Sequence, residues 1–493
     1  MRRPYAPDSG KNGHGEDSMT SCDGLTGRRI TCIVCFALIA AVVVLFATTG
    51  ALRAQEDAGS DAAGVSAVAR PVEAAADGLR IGMAKIEITP DPDRVTVHLA
   101  GYSGRHRKPA DAVLDPVYAR ALVIADEDGN LFGVVGLDLC SMHGEFRDRV
   151  LELAAPHGFT DQNLMLAATH THSSLHLGRS FILRLLFGSV DDALFERTAQ
   201  IVTDALAAAK QAMRPARWEA ATRMVSGLNR SRLDPAFEVD GHQMADGAAP
   251  DRGKYPVNER LTVLRFTGNE GIPVGAVAHF TAHPTILSPK NLALSADFPG
   301  VVCDRLEKNL GQGSVVLFLN GTLGDTAPIP DWTDDVTEEI RQMRAYGNEV
   351  ADRAEEVLAA AEPMSDSSVS AGVAKREFNQ VTLRPLWGWT LSRSMSRAFV
   401  TQPEVTFQAI RLGDVVLIAV PGEPTTRVGD DLRSLCPEGK SCTIVGQSNA
   451  AIGYIVTAQE YEGGTYAADT CFFGPKVIDE VRAGAGEALS ALG

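Results

Sequence analysis

Two histidines one residue apart, in Ala168-Thr169-His170-Thr171-His172-Ser173, close the apolar run from Leu164 to Ala168. Side chains alternate along a strand, so both imidazoles are expected on one side of the chain. Paired imidazoles at a strand end suit a metal ion and a proton-moving neighbour, because neutral imidazole is both a ligand and a base. For the motif alone, a loop with two surface histidines carries equal weight, since short motifs match by chance.

Four more segments offer groups of the right kind. His283 follows the apolar stretch Ala278-His279-Phe280-Thr281-Ala282, and Pro284 blocks continuation of that strand. Phe318-Leu319-Asn320 runs into the Gly-rich loop Gly321-Thr322-Leu323-Gly324-Asp325-Thr326-Ala327-Pro328. The strand at 415–420 leads into Pro421-Gly422-Glu423-Pro424-Thr425-Thr426, placing Glu423 where a strand ends and a helix starts, with Pro424 suited to the first helical turn. Ser448-Asn449-Ala450-Ala451-Ile452-Gly453-Tyr454 and Tyr461-Glu462-Gly463-Gly464-Thr465-Tyr466 supply tyrosines.

The elements that must position these groups read as follows. Alternating runs at 117–125 and 131–139, joined by Asp-Glu-Asp-Gly-Asn, predict a hairpin. A helix at 144–155, the strand carrying the histidine pair and a helix at 191–213 come next. Strands are expected at 261–266, 273–280 and 315–319, and long helices at 334–361 and 476–492. This alternation predicts an α/β fold: a mixed-sheet catalytic domain over 79–493, flanked by helices, with a metal site at strand ends.

Apolar residues make up 45% and charged residues 22% of the 493, ordinary globular usage with ample material for a core. The formal charge of -16 excludes a phosphate-backbone partner, so no nucleic acid is expected. Residues 30–50 form an uncharged apolar run of transmembrane length behind Arg28 and Arg29, with Met19 an alternative start. Residues 1–29 then read as a cytoplasmic n-region and 30–50 as a signal peptide or signal anchor. The remainder is exported: periplasmic, secreted or membrane-anchored. Arg28-Arg29 fits a twin-arginine signal poorly. Residues 51–78, rich in Ala, Asp, Glu and Gly, read as a flexible linker. Of the eight cysteines, Cys22, Cys32 and Cys35 lie in or before the apolar run. Cys436 and Cys442 bracket a short loop suited to a disulfide, and the exported part has no C-x-x-C pair for a thiolate metal site.

In their order along the chain, these segments resemble the catalytic domain of the neutral (non-lysosomal) ceramidase family, zinc amidohydrolases that split N-acylsphingosines into sphingoid base and fatty acid. The matching motifs are Thr169-His170-Thr171-His172-Ser173-Ser174, Asn229-Arg230-Ser231, Phe280-Thr281-Ala282-His283-Pro284 with Ser295-Ala296-Asp297, and Pro421-Gly422-Glu423-Pro424-Thr425-Thr426. Ser448 to Tyr461 and Phe473-Gly474-Pro475 complete the set. The resemblance implies Zn2+ held by His170, His283, Glu423 and Tyr454, with a zinc-bound water attacking the amide. It implies His172 as proton shuttle or hydrogen-bond partner of the intermediate, with Tyr466 and Arg230 contacting substrate. The implied partner is a lipid substrate at a membrane surface. It also implies that the resemblance covers the catalytic domain without the β-sandwich domain that follows it in full-length members.

Three departures stand out. Ala327 replaces a family serine, which rules out a serine ester at this position. The Gly-Pro after the histidine motif is missing, and Ala451 stands where the family has a tyrosine. Two alternatives therefore stand beside the ceramidase-like reading: a zinc hydrolase of the same fold acting on another amide or ester, and a degenerate, non-catalytic envelope binding protein. Retention of all four implied ligands argues against the second.

Other residues carry two readings each. His279 is expected to be a satisfied or half-exposed histidine, and His176 lacks the Asp-His that a metallo-β-lactamase pattern needs. Asp138 and Asp297 suit either a partner behind a ligand histidine or a structural carboxylate. Residues 180–190 suit a lid or acyl-chain wall, or a buried helix turn. Trp387 and Trp389 suit a membrane interface, with core packing the ordinary alternative. The sequons at Asn229 and Asn320 are read as chance matches inside site motifs.

Overall fold

The computed structural model describes residues 78–234, 236–238, 243–244, 253–384, 389–400 and 403–492. The apolar run at 30–50, the linker up to residue 77, the first three cysteines and Trp387 lie outside these. Among the described residues no helix is long and apolar enough to cross a membrane.

Eight strands build the main sheet: β1 (Arg80–Glu87), β2 (Tyr118–Ala125), β3 (Leu131–Leu137), β4 (Leu164–Ala168), β5 (Arg214–Met224), β6 (Arg260–Gly268), β7 (Pro273–Phe280) and β8 (Val315–Asn320). Their order is β8-β7-β6-β5-β1-β2-β3-β4, and the two-residue strand Glu362–Pro363 adds to β5. A second sheet runs β9 (Val369–Glu377), β10 (Glu404–Leu412), β11 (Val415–Ala419) and β12 (Ser441–Val445). The main helices are α1 (Gly144–Ala154), α2 (Phe181–Phe187), α3 (Asp192–Gln211), α4 (Asp297–Leu310), α5 (Val336–Ala359), α6 (Thr426–Arg433) and α7 (Val477–Ser490).

Both sheets are mixed, as the alternating pattern predicts. The pairs β3/β4, β7/β8 and β11/β12 are parallel, and each needs a crossover, supplied by α1, α4 and α6. The second sheet is the finding that periodicity did not foresee. Residues of one main-sheet face, among them Ile81, Leu122, Trp218 and Phe266, pack against Ile410, Leu412 and Leu417 of the second sheet. The opposite face buries Val123, Val135 and Leu166 under Phe146, Val150 and Leu206 of α1 and α3, and Val263 and Phe318 under α4 and α5. Helix α7 covers the outer face of the second sheet. The result is helix, sheet, sheet, helix. Central strands covered on both faces lose the polar alternation that would betray them.

Parallel pairing has one consequence for function: crossover-linked strands end on the same side, so their carboxyl ends collect in one place. Asn320, at the end of β8, ties these ends together. Its Nδ2 donates to Thr169 O (3.0 Å) and Ala282 O (2.8 Å), and its Oδ1 accepts from Gly321 N (2.9 Å). Asn320 and Asn229 are fully buried, consistent with chance sequons.

Several expectations resolve here. Cys436 and Cys442 are joined by a disulfide. Asp138 is a structural carboxylate, accepting from Arg120 Nη1 (2.5 Å) and Tyr118 N (2.9 Å). Asp297 accepts from Leu287 N and Phe298 N and so shapes the start of α4. His279 is buried with Nε2 against Ile444 O at 2.8 Å. Residues 181–187 form α2, capped by Ser180, with Ile182 buried and Phe181 exposed, so it is not a wholly buried turn. Trp389 is 62% exposed, which excludes core packing for it.

Candidate metal centre

The histidine pair lies just beyond β4, and strand alternation is not what aligns it. His170 adopts φ 72°, a left-handed conformation uncommon outside glycine, which swings its side chain out of the strand. Its N–H donates to Leu139 O (2.9 Å), and its Nδ1 faces Cys140 O at 2.5 Å. His172 returns to the same side, its Nε2 3.2 Å from His170 Nε2. Its carbonyl accepts from the buried Arg105 Nη1 (2.5 Å). Gly101 permits this packing: at φ 89°, a Cβ there would fall 2.3 Å from His172 Cγ.

His283 lies beyond β7, with its N–H on Thr326 O (2.9 Å) and its Nδ1 on Leu323 O (2.6 Å). Glu423 and Pro424 form a short parallel bridge with Tyr454 and Ile455, so the implied carboxylate and phenol ligands are backbone neighbours. Thr425 caps α6, leaving Pro424 one residue before the cap rather than in the first turn.

Three of the four implied donors converge. His170 Nε2 is 3.0 Å from His283 Nε2, and Glu423 Oε2 lies 3.5 Å and 3.4 Å from the two nitrogens. A tetrahedral dication with bonds of about 2.0–2.1 Å has ligand–ligand edges of about 3.3 Å, so these spacings fit. Backbone carbonyls take both Nδ1–H groups, which turns the Nε2 lone pairs inward. Glu423 Oε2 is buried without a hydrogen-bond partner among the described residues. Lone pairs so arranged repel unless a positive charge sits among them. His172 Nδ1 is likewise buried without a partner, so no acceptor fixes its tautomer, which suits a proton carrier better than a ligand.

Electrostatics agree. Burial holds His283 down to about 3 and His172 well below the usual histidine range, so both are neutral. Burial also opposes charge on His170, but the Glu423 carboxylate and Cys140 outweigh it and raise the imidazole to about 10. Burial opposes charge on Glu423 as well, yet the facing His170 holds its carboxyl far below the ordinary value. A proton on His170 thus stands in for the cation that the donors call for.

The structure brings together His170, His172, His283, Glu423, Tyr454 and Tyr466. Tyr454 is buried, and the ring of Tyr466, 48% exposed, meets it edge-on at 5.8 Å. Arg230 pairs with Asp331 at 2.5 Å, and the Arg232 guanidinium lies beside the implied ligands, 3.2 Å from the Tyr454 hydroxyl. Sequence reading missed Arg232, two residues past a motif arginine, together with Arg105, Gly101 and the carbonyl of Cys140. Ala327 is fully buried in a short strand paired with Arg230.

Asp325 joins the Gly-rich loop to α6 by accepting from Thr426 N (2.8 Å) and Thr426 Oγ1 (2.9 Å), both on Oδ1. Burial first, and the charge of Glu460 second, push its carboxyl up to about 7. An unfolded aspartate titrates near about 3.9, so at intermediate pH the folded chain holds a proton that the unfolded chain lacks. This contribution to stability is full below pH of about 4 and is lost as pH rises towards 7, by at most about 1.4 kcal/mol per unit. Asp325→Asn keeps the accepting oxygen and should remove this slope. Urea midpoints of the metal-stripped proteins at pH 5 and 7.5 should fall more for the parent than for the variant.

Comparison with known proteins gives a consistent picture. The family described as Neutral/alkaline non-lysosomal ceramidase, N-terminal, matches residues 79–383. Neutral ceramidase B of Dictyostelium discoideum is 23% identical over 73% of this chain and 65% of its own length. Neutral ceramidase of Drosophila melanogaster is 23% identical over 80% of this chain and 72% of its own. The crystal structure of neutral ceramidase from Pseudomonas aeruginosa superposes with a TM-score of 0.70 at 19% identity, covering 84% of this chain and 74% of that one. The chain thus spans 65% of the length of the first Dictyostelium relative, and the solved structure shares its fold.

Proposed function

The chain belongs to the neutral/alkaline non-lysosomal ceramidase family, and from that premise we propose that it is a zinc-dependent amidohydrolase cleaving the amide of an N-acyl lipid such as ceramide. The observation that carries the reading is the inward-facing set of His170 Nε2, His283 Nε2 and Glu423 Oε2 at tetrahedral-edge spacing. Tyr454 completes the donors, since two imidazoles, a carboxylate and a phenol oxygen suit zinc. Zinc bound there polarises a carbonyl and acidifies water at neutral pH.

The remaining steps belong to the chain's own side chains. His172, neutral and 3.2 Å from His170, takes the proton of the attacking water at Nε2 and returns it to the departing amine nitrogen. Tyr466, at the exposed rim, turns its hydroxyl towards the carbonyl oxygen as charge builds there. Arg230, paired with Asp331, is assigned to the headgroup side. Ala327 offers no hydroxyl, so no acyl ester forms at that position in this scheme. The disulfide at Cys436 and Cys442 supports export, and lipid cleavage at a membrane surface follows from the substrate class.

Release of sphingosine and fatty acid from ceramide by the purified full chain tests the reading. Cleavage should stop on chelation and return with zinc. Turnover that ignores a chelator, with no metal in the protein, overturns the zinc mechanism.

A further inference from the structure

Of the basic residues Arg105-His106-Arg107-Lys108, only Arg105 is buried, and the other three face solvent. A single tight turn of helix, Ser103–Arg105, carries it inward. His106 (φ 53°) and Arg107 (φ 60°) then follow, both in the left-handed region. Two such residues in succession are costly for side chains with a Cβ, and strain of this kind persists where the surroundings fix it, as at functional sites.

The hydrogen bonds of Arg105 all go to uncharged oxygens. Its Nη1 donates to His172 O (2.5 Å) and Ala100 O (3.0 Å), its Nε to Asn291 O (3.1 Å) and its Nη2 to Ser173 Oγ (3.4 Å). Asn291 closes the ring, its Nδ2 donating to the same Ser173 Oγ at 3.1 Å. No carboxylate pairs with Arg105 among the described residues, so ion pairing is not what keeps this guanidinium buried. Its rigid fork instead ties residues 100–105, 172–173 and 291 together, which a single-point donor would do with less direction.

His172 is where that matters. The Nδ1 atoms of His170 and His283 each face a carbonyl oxygen, which fixes those rings, whereas Nδ1 of His172 has no hydrogen-bond partner among the described residues. The direction of its ring is therefore set by its backbone and by packing. Arg105 acts on both. It holds the His172 carbonyl, and its guanidinium lies 4.8 Å from the centroid of the Tyr102 ring, which meets the His172 ring at 4.5 Å. The Tyr102 hydroxyl is anchored in turn on Leu287 O (3.2 Å).

We propose that Arg105 is a positioning residue: it keeps Nε2 of His172 at its place beside the metal donors, 3.2 Å from His170 Nε2, by holding the His172 backbone and the Tyr102 ring against it. This rests on the amidohydrolase reading above and adds to it a residue that acts through His172.

Turnover of N-dodecanoylsphingosine by the full-length, zinc-loaded protein tests this in a cycle of Arg105→Met and His172→Asn. Arg105→Met should lower kcat by about a hundredfold, the cost of a misplacement of about 1 Å, with KM and zinc content unchanged. In the His172→Asn background the same change should cost less than about twofold, since no imidazole remains to be held. Arg105→Lys, which keeps the cation without the fork, should fall between the parent and Arg105→Met in kcat, again with KM unchanged. Equal slowing of both backgrounds by Arg105→Met overturns the proposal, as does a loss that appears in KM or in zinc content. If Arg105→Met does not fold, Arg105→Lys carries the same cycle; failure of both to fold makes Arg105 a structural residue and also overturns the proposal. A parent without zinc-dependent cleavage sinks the amidohydrolase reading and this role together, whereas a parent that cleaves, with independent losses in the cycle, sinks the role of Arg105 alone.

Discussion

Glu423→Gln should abolish both metal binding and hydrolysis, whereas His172→Asn should slow hydrolysis about 10²–10⁴-fold and leave the metal in place. Glu423 Oε2 faces both imidazole Nε2 atoms and has no hydrogen-bond partner among the described residues, so its charge is held there for a cation. The amide of glutamine is nearly isosteric but uncharged, and one of its rotamers points N–H groups at the ion's place. Loss of several kcal/mol of charge stabilisation corresponds to more than about a thousandfold in rate. His172 sits at similar distance from His170, yet no acceptor fixes its Nδ1 as Cys140 O and Leu323 O fix the others. Losing a proton carrier costs about 10²–10⁴-fold in rate. Elemental analysis beside ceramide turnover separates the two variants. Loss of metal in His172→Asn would make His172 a ligand and require a different proton carrier.

Arg120→Met should cost about 3–5 kcal/mol of stability, the penalty of stranding a buried charge. Arg120 is 2% exposed in the middle of β2, with Nη1 2.5 Å from Asp138 Oδ2 and Nε 3.8 Å from Glu307 Oε1. Methionine fills the stem's volume but leaves Asp138, fully buried, with only the Tyr118 N–H for its charge. Changing both partners, Arg120→Met with Asp138→Leu, should recover much of the loss, because it strands no charge. Denaturant midpoints of the single and double variants decide this. The single variant should also bind metal more weakly, since Asp138 precedes Leu139 and Cys140, whose carbonyls hold His170. An equally destabilised double variant would show that the pair contributes attraction rather than mere neutrality.

Much of this was legible beforehand. The hairpin, helices α1, α3, α5 and α7 and strand β7 lie within a few residues of their periodic signals, whereas the crossover helix α4 was not foreseen and α6 was foreseen only by its start. The second sheet was not legible as a layer: β11 and β12 are short, and nothing in their residues says which sheet they join. At the centre, the ligand types and their strand-end positions were readable. The left-handed turn at His170 was not, since it depends on carbonyls contributed by Leu139 and Cys140 from a different strand. Arg230 and Arg232 differ by two residues, and only the pairing of their strand with residues 326–328 decides which one meets Asp331 and which one meets Tyr454.

One side chain, Asn320, holds the backbone on both sides of the proposed metal centre, through the carbonyls of Thr169 and Ala282 next to His170 and His283. On the proposed reading, folding and metal loading are then expected to be separate events. The backbone beside both imidazoles is held by an amide, so the metal-stripped protein should keep a far-UV circular dichroism spectrum and a cooperative thermal transition close to those of the loaded one. A centre of this kind would lose its ion and regain it without unravelling, and its activity would follow the free metal concentration around it.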